Sequence, residues 1–76
     1  MEKEIEVNGK KFKIRELLAI ELDGMDFSEE KKMDSIKKEV CLSTGISEEE
    51  YKLLTIKERL SIIEVINEIN GFLKTN

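Results

Sequence analysis

A group of carboxylates and a single thiol are the first candidates for chemistry among the side chains of this chain. Five acidic residues gather within ten positions: Glu21, Asp23, Asp26, Glu29 and Glu30. A calcium loop of the EF-hand type needs oxygen ligands at alternate positions around a central glycine, whereas Gly24 here directly follows Asp23. The spacing therefore favours a solvated loop whose carboxylates cap the next helix. The same carboxylates are weaker candidates for contact with a basic partner segment.

Cys41 is the only cysteine, and the chain has no histidine. A cysteine nucleophile is usually activated by a neighbouring histidine, and one cysteine forms neither an internal disulfide nor a zinc cluster. Because free cysteine is among the most buried residue types, we expect Cys41 to lie in the core. These residue types predict a protein that is not an enzyme and that has no cofactor and no metal site.

Composition narrows the remaining classes of function. The 76 residues, 39% apolar and 39% charged, have room for one domain over residues 1–76. The net charge is −4, with +2 over residues 1–15 and −6 over residues 16–30. Because nucleic acid is bound largely through concentrated lysine and arginine, we expect no nucleic-acid partner. No apolar run can span a bilayer and no apolar signal core opens the chain, so we expect a cytoplasmic protein with no membrane contact.

A β-hairpin is predicted over residues 1–14. Asn8-Gly9 is the strongest short hairpin turn, because both turn positions need a positive φ. The two-residue turn pairs Val7 with Lys10 and, further along, Ile5 with Phe12. One face is then apolar (Ile5, Val7, Phe12 and Ile14), and the other pairs Glu4 with Lys13 and Glu6 with Lys11.

Residues 15–76 form the helical region, so the predicted fold is α+β, a two-stranded hairpin packed on three to four helices. Four helices are expected, over residues 15–22, 28–43, 47–54 and 56–70. Asp26 or Ser28 is the expected cap of the second helix, and Gly45 ends it. This helix carries a narrow apolar stripe of Met33, Ile36 and Val40. Ser47 with Glu50, and Thr55 with Glu58, are capping boxes that begin the third and fourth helices.

The last helix carries two apolar stripes. The broad stripe comprises Ile62, Val65, Ile66, Ile69, Phe72 and Leu73. The second comprises Ile56, Leu60 and Ile63. So much apolar surface suits a central helix, or a helix whose second stripe meets another chain. Ile56, Leu60 and Ile63 are therefore the candidate partner-binding residues, and the alternative is that all three pack in the core.

Several motifs share the order of a known family. Val7-Asn-Gly-Lys10 runs into Phe12-Lys-Ile-Arg-Glu-Leu17, followed by Thr44-Gly-Ile-Ser-Glu-Glu-Glu-Tyr-Lys-Leu-Leu54 and Asn70-Gly-Phe-Leu73. This pattern resembles the small tail assembly chaperones of long-tailed phages and prophages, in the group with the Mu-like and P2-like proteins. Many of those relatives carry an aspartate before the last apolar run, where this chain has Thr55-Ile-Lys-Glu58.

The resemblance implies binding without chemistry. Such chaperones are thought to coat the long helical tape measure protein and to keep it soluble while tail tube subunits polymerise around it, here in the host-cell cytoplasm. The contact residues would be Ile56, Leu60 and Ile63, with the outer face of the hairpin as a second surface. The main alternative is a small intracellular adaptor or regulator that forms a homo-oligomer, a dimer, through its last helix. A DNA-binding regulator ranks third, because three glutamates (Glu48, Glu49 and Glu50) occupy the place of the basic residues that a recognition helix needs.

Overall fold

An antiparallel hairpin followed by four helices makes up the computed structural model, which describes residues 2–71. The strands are β1 (Glu2–Val7) and β2 (Lys10–Arg15). The helices are α1 (Ala19–Leu22), α2 (Lys32–Thr44), α3 (Glu48–Lys52) and α4 (Ile56–Asn70). This arrangement confirms the predicted α+β fold. Phe72 and Leu73, assigned above to the broad stripe of the last helix, lie outside the described residues.

The hairpin has the predicted register. Asn8 and Gly9 both have positive φ, 53° and 82°, as a type I′ turn requires. Val7 pairs with Lys10 and Ile5 with Phe12. The apolar face is directed inward, with Val7, Phe12 and Ile14 buried and Ile5 half-buried.

Helix α4 covers the inner face of the hairpin. Eight buried apolar residues form the core: Val7, Phe12, Ile14, Leu17, Val40, Ile62, Val65 and Ile66. Two lysines at opposite ends of the inner face reach α4: Lys3 Nζ lies 3.1 Å from Glu68 Oε1, and Lys10 Nζ lies 3.4 Å from Glu58 Oε2. Helix α4 therefore runs antiparallel to β1, and α2 packs against both β2 and α4.

The first helix is shorter than predicted. Residues 15–22 were expected to be helical from their propensities, but β2 extends to Arg15 and α1 spans only Ala19–Leu22. Arg15 pairs with Glu2 across the hairpin, and the buried Leu17 donates its backbone N–H to Asn70 Oδ1 at 2.7 Å. These contacts keep residues 15–18 out of the helix, so tertiary contacts override local helix propensity.

The second helix begins later than predicted, and neither Asp26 nor Ser28 caps it. Asp26 Oδ1 accepts a hydrogen bond from the backbone N–H of Ser28 at 2.9 Å, which makes a local turn instead of a helix cap. The Ser35 hydroxyl accepts from Asp26 N at 3.0 Å and donates to Asp26 O at 2.6 Å. Because Ser35 holds this loop against α2, the helix starts at Lys32. Its end at Gly45, with φ of 79°, agrees with the prediction.

Both predicted capping boxes are present. Ser47 Oγ accepts from Glu50 N at 3.1 Å while Glu50 Oε1 accepts from Ser47 N at 2.8 Å. Thr55 and Glu58 make the same pair of hydrogen bonds at 3.1 and 2.9 Å. Within residues 2–71 no helix has both the length and the apolar character needed to traverse a bilayer.

Candidate functional site

The two apolar stripes of α4 differ sharply in exposure. Ile62 and Ile66 are fully buried, as is most of Val65. In the second stripe Ile56 is 71% exposed and Leu60 57% exposed, whereas Ile63 is half-buried and packs against the core. We call Ile56, Leu60 and Ile63 the α4 strip. Core packing therefore explains in part why residue 63 is apolar, but it does not explain the apolar side chains of Ile56 and Leu60.

A depression between α2 and α4 adjoins the α4 strip. It has a volume of about 400 Å³ and is lined by four apolar residues (Leu22, Phe27, Ile36 and Ile63) and three polar ones (Lys32, Glu39 and Asn67). We call it the α2–α4 groove. Ile63 and Asn67 also line a shallower depression over Ile56 and Leu60. The strip and the groove are therefore one continuous surface.

Regular helix spacing positions one wall of this surface. Ile56, Leu60, Ile63 and Asn67 follow one another at intervals of four, three and four residues, which places them along one face of α4 over about 16 Å. Ile36 and Glu39 are three residues apart on α2 and form the opposite wall. Phe27 is delivered by the loop that Ser35 anchors, and it is 48% exposed.

Glu39 is the unusual residue of the groove. It is only 6% exposed, and no hydrogen bond or ion pair joins its carboxylate to any of residues 2–71. Burial raises the pKa of Glu39 above the ordinary value of glutamate. The sequence did not single out Glu39, because a glutamate in a lysine-rich helix is typical of a solvated face. The only sequence feature that could have indicated its burial is its position three residues after Ile36 and next to Val40.

The buried face of α2 is mostly polar. Ser35, Glu39 and Ser43 are buried together with Val40, whereas Met33 of the predicted apolar stripe is 53% exposed. The stripe of Met33, Ile36 and Val40 therefore does not define the packed side of the helix.

Two of the acidic residues between positions 21 and 30, Glu21 and Asp26, form hydrogen bonds with nearby residues. Arg15 Nη2 lies 2.8 Å from Glu21 Oε2, and the backbone N–H of Leu18 donates to Glu21 Oε1 at 2.8 Å. The Arg15 guanidinium, followed by the Leu18 N–H, lowers the pKa of Glu21 to about 2. In the described part of the chain, no three acidic or thiol groups are arranged to share a metal ion.

Cys41 is half-buried and lies outside the core cluster, which corrects the expectation that it is a core residue. Its Sγ is 4.0 Å from the carbonyl oxygen of Ser47. Burial is the main factor that raises the pKa of this thiol, assisted by the negative charge of Glu48. A raised pKa favours the unreactive thiol over the thiolate.

Comparisons with protein-family models, curated proteins and solved structures give no match for this chain. The resemblance to tail assembly chaperones therefore stays a prediction from sequence motifs. The α4 strip and the α2–α4 groove are the structural features that bear on function.

Proposed function

We propose that this chain is a non-enzymatic binding protein that holds an amphipathic helix of a partner protein against the α4 strip and the α2–α4 groove. The observation that carries the proposal is the exposure of Ile56 and Leu60 beside the half-buried Ile63, on the same helix that supplies the core. Contiguous apolar surface rimmed by polar residues is typical of interaction sites.

The dimensions of the surface suit a helix. Helices dock in apolar grooves through side chains at intervals of three and four residues, and the 16 Å from Ile56 to Asn67 corresponds to about three helical turns. Charged Lys57 and Glu64 border the shallow depression over the strip. They would stay hydrated around a docked apolar stripe, as in the polar rim of protein interfaces.

The specific form of this proposal is a tail assembly chaperone of a phage or prophage. Its partner would be the helical tape measure protein, which it would keep soluble in the host-cell cytoplasm during tail assembly. Two features support it: the motif order described above, and a charged exterior around one apolar surface, which suits a protein that solubilises apolar helices. No step of this function needs a catalytic group.

Coexpression tests the proposal directly. The chain is produced together with fragments of a tape measure protein encoded beside it, and the soluble complex is isolated by affinity purification. We expect Leu60→Asp to abolish the complex, since it places a charge in the apolar contact. Leu53→Asp is the matched control, because Leu53 is 76% exposed but lies outside the strip and the groove. A complex that survives Leu60→Asp, or no complex with the wild-type chain, contradicts the proposal.

The second candidate is a dimeric adaptor or regulator, and it is favoured by the same exposed strip, which a second copy of the chain could cover. Analytical ultracentrifugation distinguishes the two. A dimer that Leu60→Asp converts to a monomer supports the adaptor, whereas a monomer at high concentration eliminates it. Leu60 is a cleaner test than Ile63, because Ile63 also packs on the core.

A further inference from the structure

We infer that the α2–α4 groove selects helices that carry a lysine or arginine within their apolar stripe, and that this cation pairs with the Glu39 carboxylate. The inference rests on the proposed binding of a helix and specifies the chemistry of that helix. It predicts a partner that is not uniformly apolar on its docked face.

Glu58 and Glu39 are both buried glutamates, but their carboxylates differ in their partners. Glu58 is 1% exposed, and its carboxylate accepts the Thr55 N–H and meets the Lys10 ammonium. Glu39 is 6% exposed and has no such partner among residues 2–71. Buried charges in proteins are normally paired. The little exposed surface of Glu39 includes its carboxylate oxygens, which are not among the fully buried unpaired polar atoms, so this carboxylate keeps water where that of Glu58 has protein partners.

The position of Glu39 shows where a partner would come from. Glu39 lines the α2–α4 groove together with Phe27, Ile36 and Ile63, so a helix docked there would cover its carboxylate. Removing the remaining water from an unpaired carboxylate costs free energy, which a cation with hydrogen-bond donors offsets. A helix that supplies such a cation is favoured over one that supplies only apolar groups.

Lys32 borders the same groove but does not pair with the Glu39 carboxylate. It is exposed, and its ammonium makes no ion pair with Glu39. The two residues are seven positions apart on α2, which separates them by about 10 Å along the helix. The carboxylate remains available to a group from outside.

A side-chain cation fits the groove better than a metal ion does. Divalent cations need several oxygen ligands, and the groove offers one carboxylate and the Asn67 amide. Lysine and arginine have long apolar stems that can lie along apolar walls such as Phe27 and Ile63 while the charged end reaches a polar group. The geometry thus points to a lysine or arginine of a partner helix.

Selection from a peptide library tests the inference. The probes are displayed amphipathic helical peptides of about 20 residues, long enough to be helical when bound, with Leu, Ile, Phe, Met, Gln, Glu, Lys and Arg allowed at each stripe position. The wild-type chain, Glu39→Gln and Glu30→Gln are the immobilised targets. Glu30→Gln is the matched control, since it removes the same charge from an exposed residue before α2. Circular dichroism establishes that each target is folded.

We expect the wild-type chain and Glu30→Gln to enrich a basic residue at one stripe position, and Glu39→Gln to lose that preference. Replacing the basic residue of the best peptide by methionine should weaken binding to the wild-type chain about tenfold or more. The same replacement should leave binding to Glu39→Gln unchanged.

Two results overturn the inference while helix binding stands: Glu39→Gln enriches the same basic residue, or the wild-type chain enriches no basic residue in the peptides that it binds. If the wild-type chain enriches no helical peptide at all, the proposed helix binding itself is contradicted. The two failures are therefore distinguishable.

Discussion

The side-chain oxygen of Asn70 accepts a hydrogen bond from the backbone N–H of Leu17 at 2.7 Å. The amide nitrogen of Asn70 donates at the same time to the carbonyl oxygen of Ile66 at 2.8 Å. One side chain therefore joins the last turn of α4 to the segment after β2, across 53 positions of the chain. This link explains why residues 15–18 are not helical and why α1 is short.

Loss of this link should destabilise the fold. Asn70→Ala leaves the Leu17 N–H without its partner, and an unsatisfied buried donor costs about 1–3 kcal/mol. Urea unfolding followed by circular dichroism measures the change. Asn67→Ala, on the same helix, should change the free energy of unfolding by less, because the Asn67 side chain makes no hydrogen bond within residues 2–71. Equal effects of the two substitutions would contradict this role of Asn70.

Two buried serines of α2 should respond oppositely to alanine. Ser35 makes two hydrogen bonds to Asp26, so Ser35→Ala should cost about 1–3 kcal/mol and speed hydrogen exchange at the Asp26 amide. Ser43 Oγ is equally buried but has no partner among the described residues, so Ser43→Ala should be neutral or stabilising. Parallel urea titrations of both variants check the contrast. A larger loss from Ser43→Ala would show that its hydroxyl is satisfied.

Substitutions in the broad stripe of α4 and in the α4 strip should differ in their effect on the free energy of unfolding. Ile62 is fully buried, so Ile62→Ala should lower the free energy of unfolding by about 2–5 kcal/mol. Ile56 is 71% exposed, and Ile56→Ala should change it by no more than about 0.5 kcal/mol. Thermal and urea unfolding of both variants measure this. A large destabilisation by Ile56→Ala would show that the strip belongs to the core.

Removing the Glu39 charge should stabilise the isolated chain near neutral pH. Because burial raises the pKa of Glu39 in the folded state, that state binds more protons than the unfolded state between the ordinary pKa of 4.5 and the raised one. Stability therefore falls as pH rises through this range. Lys32 is the other charged residue that lines the groove. Glu39→Gln should exceed the wild-type stability at neutral pH, with a smaller difference below pH 4.5, as followed by urea unfolding. A Glu39→Gln variant that is less stable at neutral pH would contradict the unpaired carboxylate.

The contribution of Glu21 to stability should depend on pH in the opposite direction from that of Glu39. Its pKa is lowered from 4.5 to about 2 by Arg15 and by the Leu18 N–H, so its contribution to stability is present above 4.5 and is lost as pH falls toward 2. Carboxyl-carbon NMR titration should place the midpoint of Glu21 near pH 2. Arg15→Met should move it back toward 4.5, since it removes the main cause. An unchanged midpoint in Arg15→Met would assign the shift to the Leu18 N–H alone.

The features that the sequence predicted correctly are those that neighbouring residues determine. Asn8-Gly9 and the alternation around it were sufficient for the hairpin and its register. The Ser47 and Thr55 boxes were sufficient for the starts of α3 and α4, because each cap involves residues three positions apart.

The wrong or missed predictions concern positions whose structure depends on contacts with residues elsewhere in the chain. The extent of α1 depends on Asn70, which no local pattern around Leu17 reveals. The start of α2 depends on Ser35, whose hydroxyl holds the preceding loop. Glu39 was missed for the same reason, because the local sequence does not reveal which face of α2 packs against β2 and α4.

The antiparallel packing of α4 on β1 bears on the order in which the chain is made. Synthesis delivers the hairpin first, yet Ile62 and Ile66 on α4 are among the residues that cover it. A lone hairpin is marginally stable in water. The nascent hairpin can pack on α2, which contacts β2, before α4 is made, but it acquires its full set of core contacts only when Ile62 and Ile66 follow. Until then, the newly made chain leaves part of the apolar face of the hairpin uncovered.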